Sequence, residues 1–189
     1  MLTKGAILLP RKYRGTVTPP ASWEDASRFS VASGERDGVF TNAPTWTQLP
    51  APSHLWALAF VAATLQLVTF GDCGVARTLK FWIRPDSLTE SILEETAGVG
   101  VSINAGAMVY GSWDNCFVDG VDTDTVPDEG WHLVVITSTT DVDVSAFRIG
   151  IVNVTYLDGL IGMPALYNYE LSDAQIHSIF QAERWFFGV

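Results

Sequence analysis

Basic residues are scarce in this chain, and cysteine is nearly absent. Eleven Lys and Arg stand against 21 Asp and Glu, a formal net charge of −10. A phosphate backbone is held by a basic patch, so nucleic acid is excluded as a partner. Adsorption to an anionic membrane is excluded by the same sign of charge, and the excess acid serves solubility. Cys73 and Cys116 are too few for a disulfide framework, and there is no Cys-x-x-Cys pair for zinc or redox chemistry. A single bridge and two reduced, buried thiols both stay open, the second suiting a chain kept in a cytoplasm. No apolar run is long enough to span a membrane. The longest, LWALAFVAATLQLVTF at 55–70, is broken by Thr64, Gln66 and Thr69 and reads as strand. The N-terminal MLTKGAILLPRKYRG has neither a signal-peptide core nor a small-residue cleavage site. The sequence therefore predicts a soluble product that does not follow the usual export route. Asn153-Val154-Thr155 then matches a glycosylation acceptor by coincidence. Histidine is rare too: His54, His132 and His177 are scattered, with no Gly-x-Ser-x-Gly elbow to serve.

What the chain does contain is short, strand-like segments. Its 189 residues suit one domain over 1–189 with a single core, and no internal repeat or linker divides it. GAILLP (5–10) is the first strand candidate, and 11–37 reads as a long loop rich in Pro, Gly, Ser and charge. LWALAF and LQLVTF follow as two strands. RTLKFWIRP (77–85) alternates most clearly: Leu79, Phe81 and Ile83 share one face, Lys80, Trp82 and Arg84 the other, and Pro85 ends it. SILEET (91–96) comes next, then a hairpin through the NAG turn at 104–106. Residues 119–130 form an acidic loop. WHLVVITST (131–139), SAFRIGIVNVTYL (145–157, interrupted near Gly150) and GLIGMPALYNY (159–169) are the last strands. One helix closes the chain, with Ser172 as N-cap and Gln175 completing a capping box. Ile176, Ile179, Phe180 and Phe187 make its apolar face. About ten short strands and a terminal helix predict an all-β fold: a two-sheet antiparallel jelly-roll sandwich with one short C-terminal helix.

Three segments resemble the laminin-G-like, concanavalin A-like lectin and glucanase jelly-roll family. TLKFWIRP is similar to an apolar strand in which Trp lies two residues before a basic residue and proline. GWHLVVIT resembles the family's Trp-His strand, and GLIGMPALYNYELSDAQI its closing strand, Leu-Ser step and short helix. WEDASRFSVASGERDGVFTNAPTW resembles its opening loop. One stretch departs: AFVAATLQLV lacks the Asp-Gly turn and acids that often follow the early Phe in the family, which puts a calcium or polar turn there in doubt. The resemblance implies a sandwich whose rim the terminal helix covers.

Some members with this fold are glycanases. They need two carboxyl groups about 5–9 Å apart across a bond. The nearest candidates, Glu94 and Glu95, are neighbours on a strand and point to opposite faces. The reading is therefore non-catalytic, with His132 a strand histidine. Asp114, Asp119, Asp122, Asp124, Asp128 and Glu129 crowd one region, without the order of an EF-hand loop. A solvated acidic loop accounts for them. No cofactor is required, and if calcium is held, Asp119, Asp122 and Asp124 are the ligands of first choice. Glycan binding uses exposed aromatics beside hydroxyl-binding side chains. Trp82, Tyr110, Trp113, Asp114 and Asn115 are the candidates, against the alternative that most tryptophans anchor the core.

The favoured function is a surface-binding module for a glycan or protein ligand, displayed on a virus or phage particle and cytoplasmic before release. A purely structural decoration or capsid-associated protein, and a degenerate glycoside hydrolase, are the alternatives. Edge strands allow homo-oligomers or larger particle assembly.

Overall fold

A computed structural model describes residues 28–31, 34–50, 53 and 55–189, with side chains from residue 38 onward. The strand expected at 5–10, most of the loop expected over 11–37, and His54 lie outside the described residues. The end of that loop is a hairpin, β1 (Arg28–Val31) and β2 (Gly34–Asp37). Its backbone is recruited by β17 (Gly159–Tyr167), to which β1 adds in parallel at Ser30 and Ala165. Edge pairing satisfies backbone groups whatever the side chains are, which composition does not reveal.

The chain continues through β3 (Val39–Thr41), β4 (Thr45–Gln48), β5 (Trp56–Phe60), a 3-10 turn (Ala62–Thr64), β6 (Leu67–Gly71) and β7 (Val75–Pro85). Next come β8 (Glu90–Thr96), β9 (Val99–Asn104), β10 (Ala107–Tyr110), β11 (Asn115–Val118), β12 (Val121–Asp122) and β13 (His132–Asp143). After these follow β14 (Phe147–Ile149), β15 (Ile151–Val152), β16 (Thr155–Tyr156), β17 and α1 (Asp173–Phe187). Among the described residues there are two large sheets. One has nine strands along the path β12-β11-β13-β7-β17-β1-β2, with β5 also on β17 and β4 on β5. The other has six, in the order β10-β9-β8-β14-β6-β3. Apart from the parallel β1 contact, the pairings are antiparallel, so the chain is the expected two-sheet β-sandwich with a C-terminal helix. The expected hairpin at 104–106 is present, with Ala105 and Gly106 both left-handed (φ 50° and 83°) as a tight β-turn requires. Part of the acidic stretch pairs as β12 against β11.

The two sheets meet over Leu79, Phe81 and Ile83 of β7, Val134 and Ile136 of β13, and Leu93, Ile103, Phe147 and Ile149 opposite. A second core lies on the far side of the nine-stranded sheet, where Trp82, Leu133, Val135 and Leu160 pack against Leu171, Ile176 and Phe187. The helix therefore lies on a sheet face and does not seal the rim, as the resemblance implied. The reason is in WHLVVIT: it is apolar at every position from Leu133 to Ile136, so β13 must be covered on both sides. Helix docking follows the ring geometry. Phe187 stacks on Trp82 with centroids 4.2 Å apart and meets Trp131 at 4.8 Å. Gly162 makes the room, since a Cβ there would stand 3.1 Å from the Phe187 ring. Burying Ile176 and Phe187 contributes roughly 1.5–3 kcal/mol each. The ends are set locally as the sequence predicted. Gln175 Oε1 accepts from the Ser172 backbone N–H at 2.9 Å, and Gly188 closes the C-terminus left-handed (φ 78°).

One polar group fixes the helix in register. Glu183 accepts from Lys80 Nζ with both carboxylate oxygens at 2.8 Å, and its Oε2 also accepts from Trp82 Nε1 at 2.8 Å. Lys80 and Trp82 are fully covered, so removing this acceptor leaves a buried ammonium and a buried indole N–H without it. We expect Glu183→Ala to cost about 3–5 kcal/mol in urea unfolding. Lys80→Met combined with Glu183→Leu should recover most of that loss, apart from the orphaned Trp82 N–H.

Candidate functional site

The structure disperses the residues that the sequence nominated. Trp82 is 0% exposed beneath the helix, so it offers no stacking surface. Its strand alternation was right, but the face it shares with Lys80 is a second core. Trp113 is 5% exposed and points into the sandwich, on the opposite side of the nine-stranded sheet from Trp82. Tyr110 is half-buried at the end of β10, and burial, with Cys116, Asp124 and Asp122 nearby, raises its pKa. Asp114 and Asn115 are exposed. Asp114 Oδ2 accepts from Ser138 Oγ, Thr139 N and Thr139 Oγ1 at 2.9–3.0 Å, bonds that hold its carboxyl below the usual range. It therefore closes the irregular stretch of β13. Asn115, the first residue of β11, pairs with Thr137 of β13. The three neighbours Trp113, Asp114 and Asn115 do not form one surface.

The acidic stretch has a similar outcome. Asp119 Oδ2 meets His132 Nδ1 at 2.7 Å and Oδ1 accepts from Leu133 N at 2.9 Å, so both oxygens are engaged. Asp128 Oδ1 lies 3.2 Å from His132 Nε2. Burial alone would lower the His132 pKa, but these two carboxylates outweigh it and raise it above the ordinary value. Asp122 and Asp124 are exposed. Among the described residues no group of three or more His, Cys, Asp or Glu is arranged to hold a metal ion. Cys73 and Cys116 are both buried, and neither forms a disulfide.

The neighbouring carboxylates of β8 part as alternation requires. Glu94 pairs with Arg148 and accepts from the backbone N–H of Gly98 and Asn153. Glu95 lies on the core side, where Oε1 accepts from Trp113 Nε1 at 2.7 Å and Oε2 is buried with no partner.

A different place collects ligand-like chemistry. The outer face of the six-stranded sheet carries an open depression of about 820 Å³. Its floor is the outward-facing set Ser91, Ser102 and Val109, consecutive across β8, β9 and β10. One wall is the β15–β16 ribbon, tied down where Ser91 Oγ meets Thr155 Oγ1 at 2.5 Å and presenting Tyr156. The end wall joins the 3-10 turn to the entry of β8. There Asp158 Oδ1 accepts from Ala62 N at 2.7 Å, Glu90 Oε2 from Asp158 N at 2.9 Å, and Glu90 Oε1 from Ser87 Oγ at 2.7 Å. Burial, outweighing these bonds, raises the Glu90 pKa, and the charges of Asp158 and Asp86 add to the rise.

Gly150 makes the ribbon wall. The pattern of 145–157 predicts one strand interrupted near Gly150, but the chain turns off the sheet there at φ 94°, donating Gly150 N–H to Ile92 O at 2.7 Å. A Cβ at Gly150 would come within 2.7 Å of the Phe60 ring, so no other residue fits without a shift. Asn153, left-handed at φ 56°, turns the ribbon back. The groove residues escaped sequence reasoning because Ser, Thr and Asn on a strand's outer face look like ordinary solvated positions. The available signal was Gly150 and Asn153 inside an apparent strand, which marks a hairpin.

No family model and no curated protein matches the sequence. Among solved structures, the fold is similar to domain 4 of AbnA, a GH43 extracellular arabinanase from Geobacillus stearothermophilus, determined in complex with arabinotriose. The TM-score is 0.52 at 15% sequence identity, over 77% of this chain and 88% of that one. At that identity the likeness concerns the β-sandwich alone.

Glu95 generates a stability test. Burial pushes its carboxyl up from 4.5 to about 7, against the lowering effect of the bonds from Trp113 and Ser112 N. Between these values the unfolded chain releases its proton first, so stability is full below the lower value and falls as pH rises through the higher. The loss is about 3 kcal/mol. Glu95→Gln keeps the acceptor for Trp113 and carries no charge. We expect the variant to gain about that much on the parent between roughly pH 4 and pH 8, measured by urea unfolding at each pH.

Proposed function

We propose that the protein is a non-catalytic binding module of the concanavalin A-like jelly-roll kind, and that it holds a saccharide in the groove on the outer face of the six-stranded sheet. The groove itself carries this reading. It is open, set on paired strands, and supplied with hydroxyls, an amide, carboxylates and Tyr156. Sugars are bound by such a mixture of hydrogen-bonding groups and an apolar ring face. The similarity to a domain solved with arabinotriose supports the same class of ligand. The non-catalytic part is supported by Glu94 and Glu95, which are held on opposite faces of β8 and do not converge across a substrate bond. No step of this reading needs a cofactor.

A second reading, contact with another protein surface, has one observation in its favour. β3 ends the six-stranded sheet among the described residues, and its Val39 and Phe40 are exposed at 68% and 37%. Assembly into a virus or phage particle, or self-association, would use such an edge.

Titration of the labelled protein with arabinotriose separates the two. We expect amide shifts at Ser91, Ser102 and Tyr156, and a loss of about tenfold in affinity for Tyr156→Ala, the scale of one removed ring contact. Absence of shifts with a panel of neutral trisaccharides, together with a sedimentation mass above the monomer, would favour the protein-contact reading. Release of reducing ends from any of these sugars would overturn the non-catalytic assignment.

A further inference from the structure

The groove's charge distribution points to the class of saccharide, an inference that rests on the binding reading above. We propose that the groove selects uncharged saccharides, whose hydroxyls donate to its carboxylate end, and discriminates against uronates and sulfated glycans. Glu90 and Asp158 line that end, and among the described residues no Lys or Arg lines the groove. Asp86 adjoins them, its backbone N–H donating to Asp158 O at 3.1 Å. The carboxylates are not free to swing away from a ligand. Asp158 is anchored by Ala62 N, and Glu90 by Ser87 Oγ and Asp158 N. A carboxylate held this way keeps lone pairs that only donors can use, and sugar hydroxyls are donors. A ligand carboxylate or sulfate brings only acceptors and a like charge. With no cation among the described groove residues to offset it, the repulsion acts at short range, where the protein screens it less than water does. The remaining polar groups fit an uncharged ligand. Ser91, Ser102 and Thr155 offer hydroxyls, which donate or accept, and Asn104 offers an amide that does both.

The test compares two trisaccharides on the full chain by calorimetric and NMR titration: neutral arabinotriose and acidic trigalacturonate, at low ionic strength. We expect arabinotriose to shift the amides of Ser91, Ser102 and Tyr156. Trigalacturonate should bind roughly 10–100-fold more weakly. Asp158→Asn keeps the Oδ1 acceptor for Ala62 N, and Asp86→Asn touches only an exposed position. Each should narrow the gap between the two sugars by weakening the repulsion. Equal or tighter binding of trigalacturonate, with the same groove amides shifted, would overturn the selectivity while leaving the binding site in place. A gap unchanged in both Asn variants would overturn its assignment to these carboxylates. If neither arabinotriose nor any other neutral trisaccharide shifts a groove amide, the binding reading fails, and the selectivity fails with it.

Discussion

The fold depends on a sheet that must be covered on both faces. β7 and β13 run through the middle of the nine-stranded sheet and present buried side chains alternately to each side. One side is covered by the six-stranded sheet, and the other needs the helix. That second contact is apolar, through Phe187 stacked on Trp82 and Ile176 beside it, but it is registered by a charge. Glu183 reaches down to the Lys80 ammonium and the Trp82 N–H together. Hydrophobic area would allow the helix to slide, whereas a carboxylate with three short donor contacts has one place to be. A buried ion pair is weak evidence for net stability. Its value in this position is specificity of docking.

This asymmetry decides which sheet face is left open. With the helix over the nine-stranded sheet, the outer face of the six-stranded sheet is the open one among the described residues. A bare sheet face is nearly flat, and it becomes a groove because β15 and β16 leave the sheet and stand over β8. The departure rests on Gly150, wedged where a Cβ would strike Phe60. One glycine in the second half of the chain thus links the packing of the first half, at Phe60 and Gln66, to the shape of the candidate site. The floor residues belong to strands whose inward neighbours, Val101 and Ile103, are locked in the core, so the hydroxyls above them are held in place without being buried.

Much of the fold was legible. The alternation of β7, the turn at 104–106 and the capped helix are local signals, and each appears where it was expected. The failures share a physical cause: local pattern does not say what covers a face. Trp82 and Lys80 read as a solvent face because one of them is charged, yet a helix more than 90 residues downstream brings the matching carboxylate. Trp113, Asp114 and Asn115 are candidates that adjoin in sequence, yet burial divides them between the core and the surface. The groove was invisible for the opposite reason. Its members come from strands and turns far apart in the chain, and none has an unusual residue type.

The acidic composition also acquires a meaning that counting does not give. In a chain with few cations, carboxylates find partners in backbone N–H groups. Asp72, Asp128 and Asp143 each accept from the amide two residues ahead, the short turn that Asp side chains favour. Asp114, Asp119 and Asp158 reach across to more distant backbone, and Glu94 takes two loop amides as well as Arg148. A loop dense in Asp therefore resembles a calcium site in sequence, because both uses want oxygens on turns. The two differ in where the lone pairs point. When they are turned on the chain's own amides, they organise loops. Only where the end of a groove leaves one side of a carboxylate open, as at the half-buried Asp158, can the same chemistry be directed at a ligand, and a ligand that meets it has to bring hydrogen-bond donors.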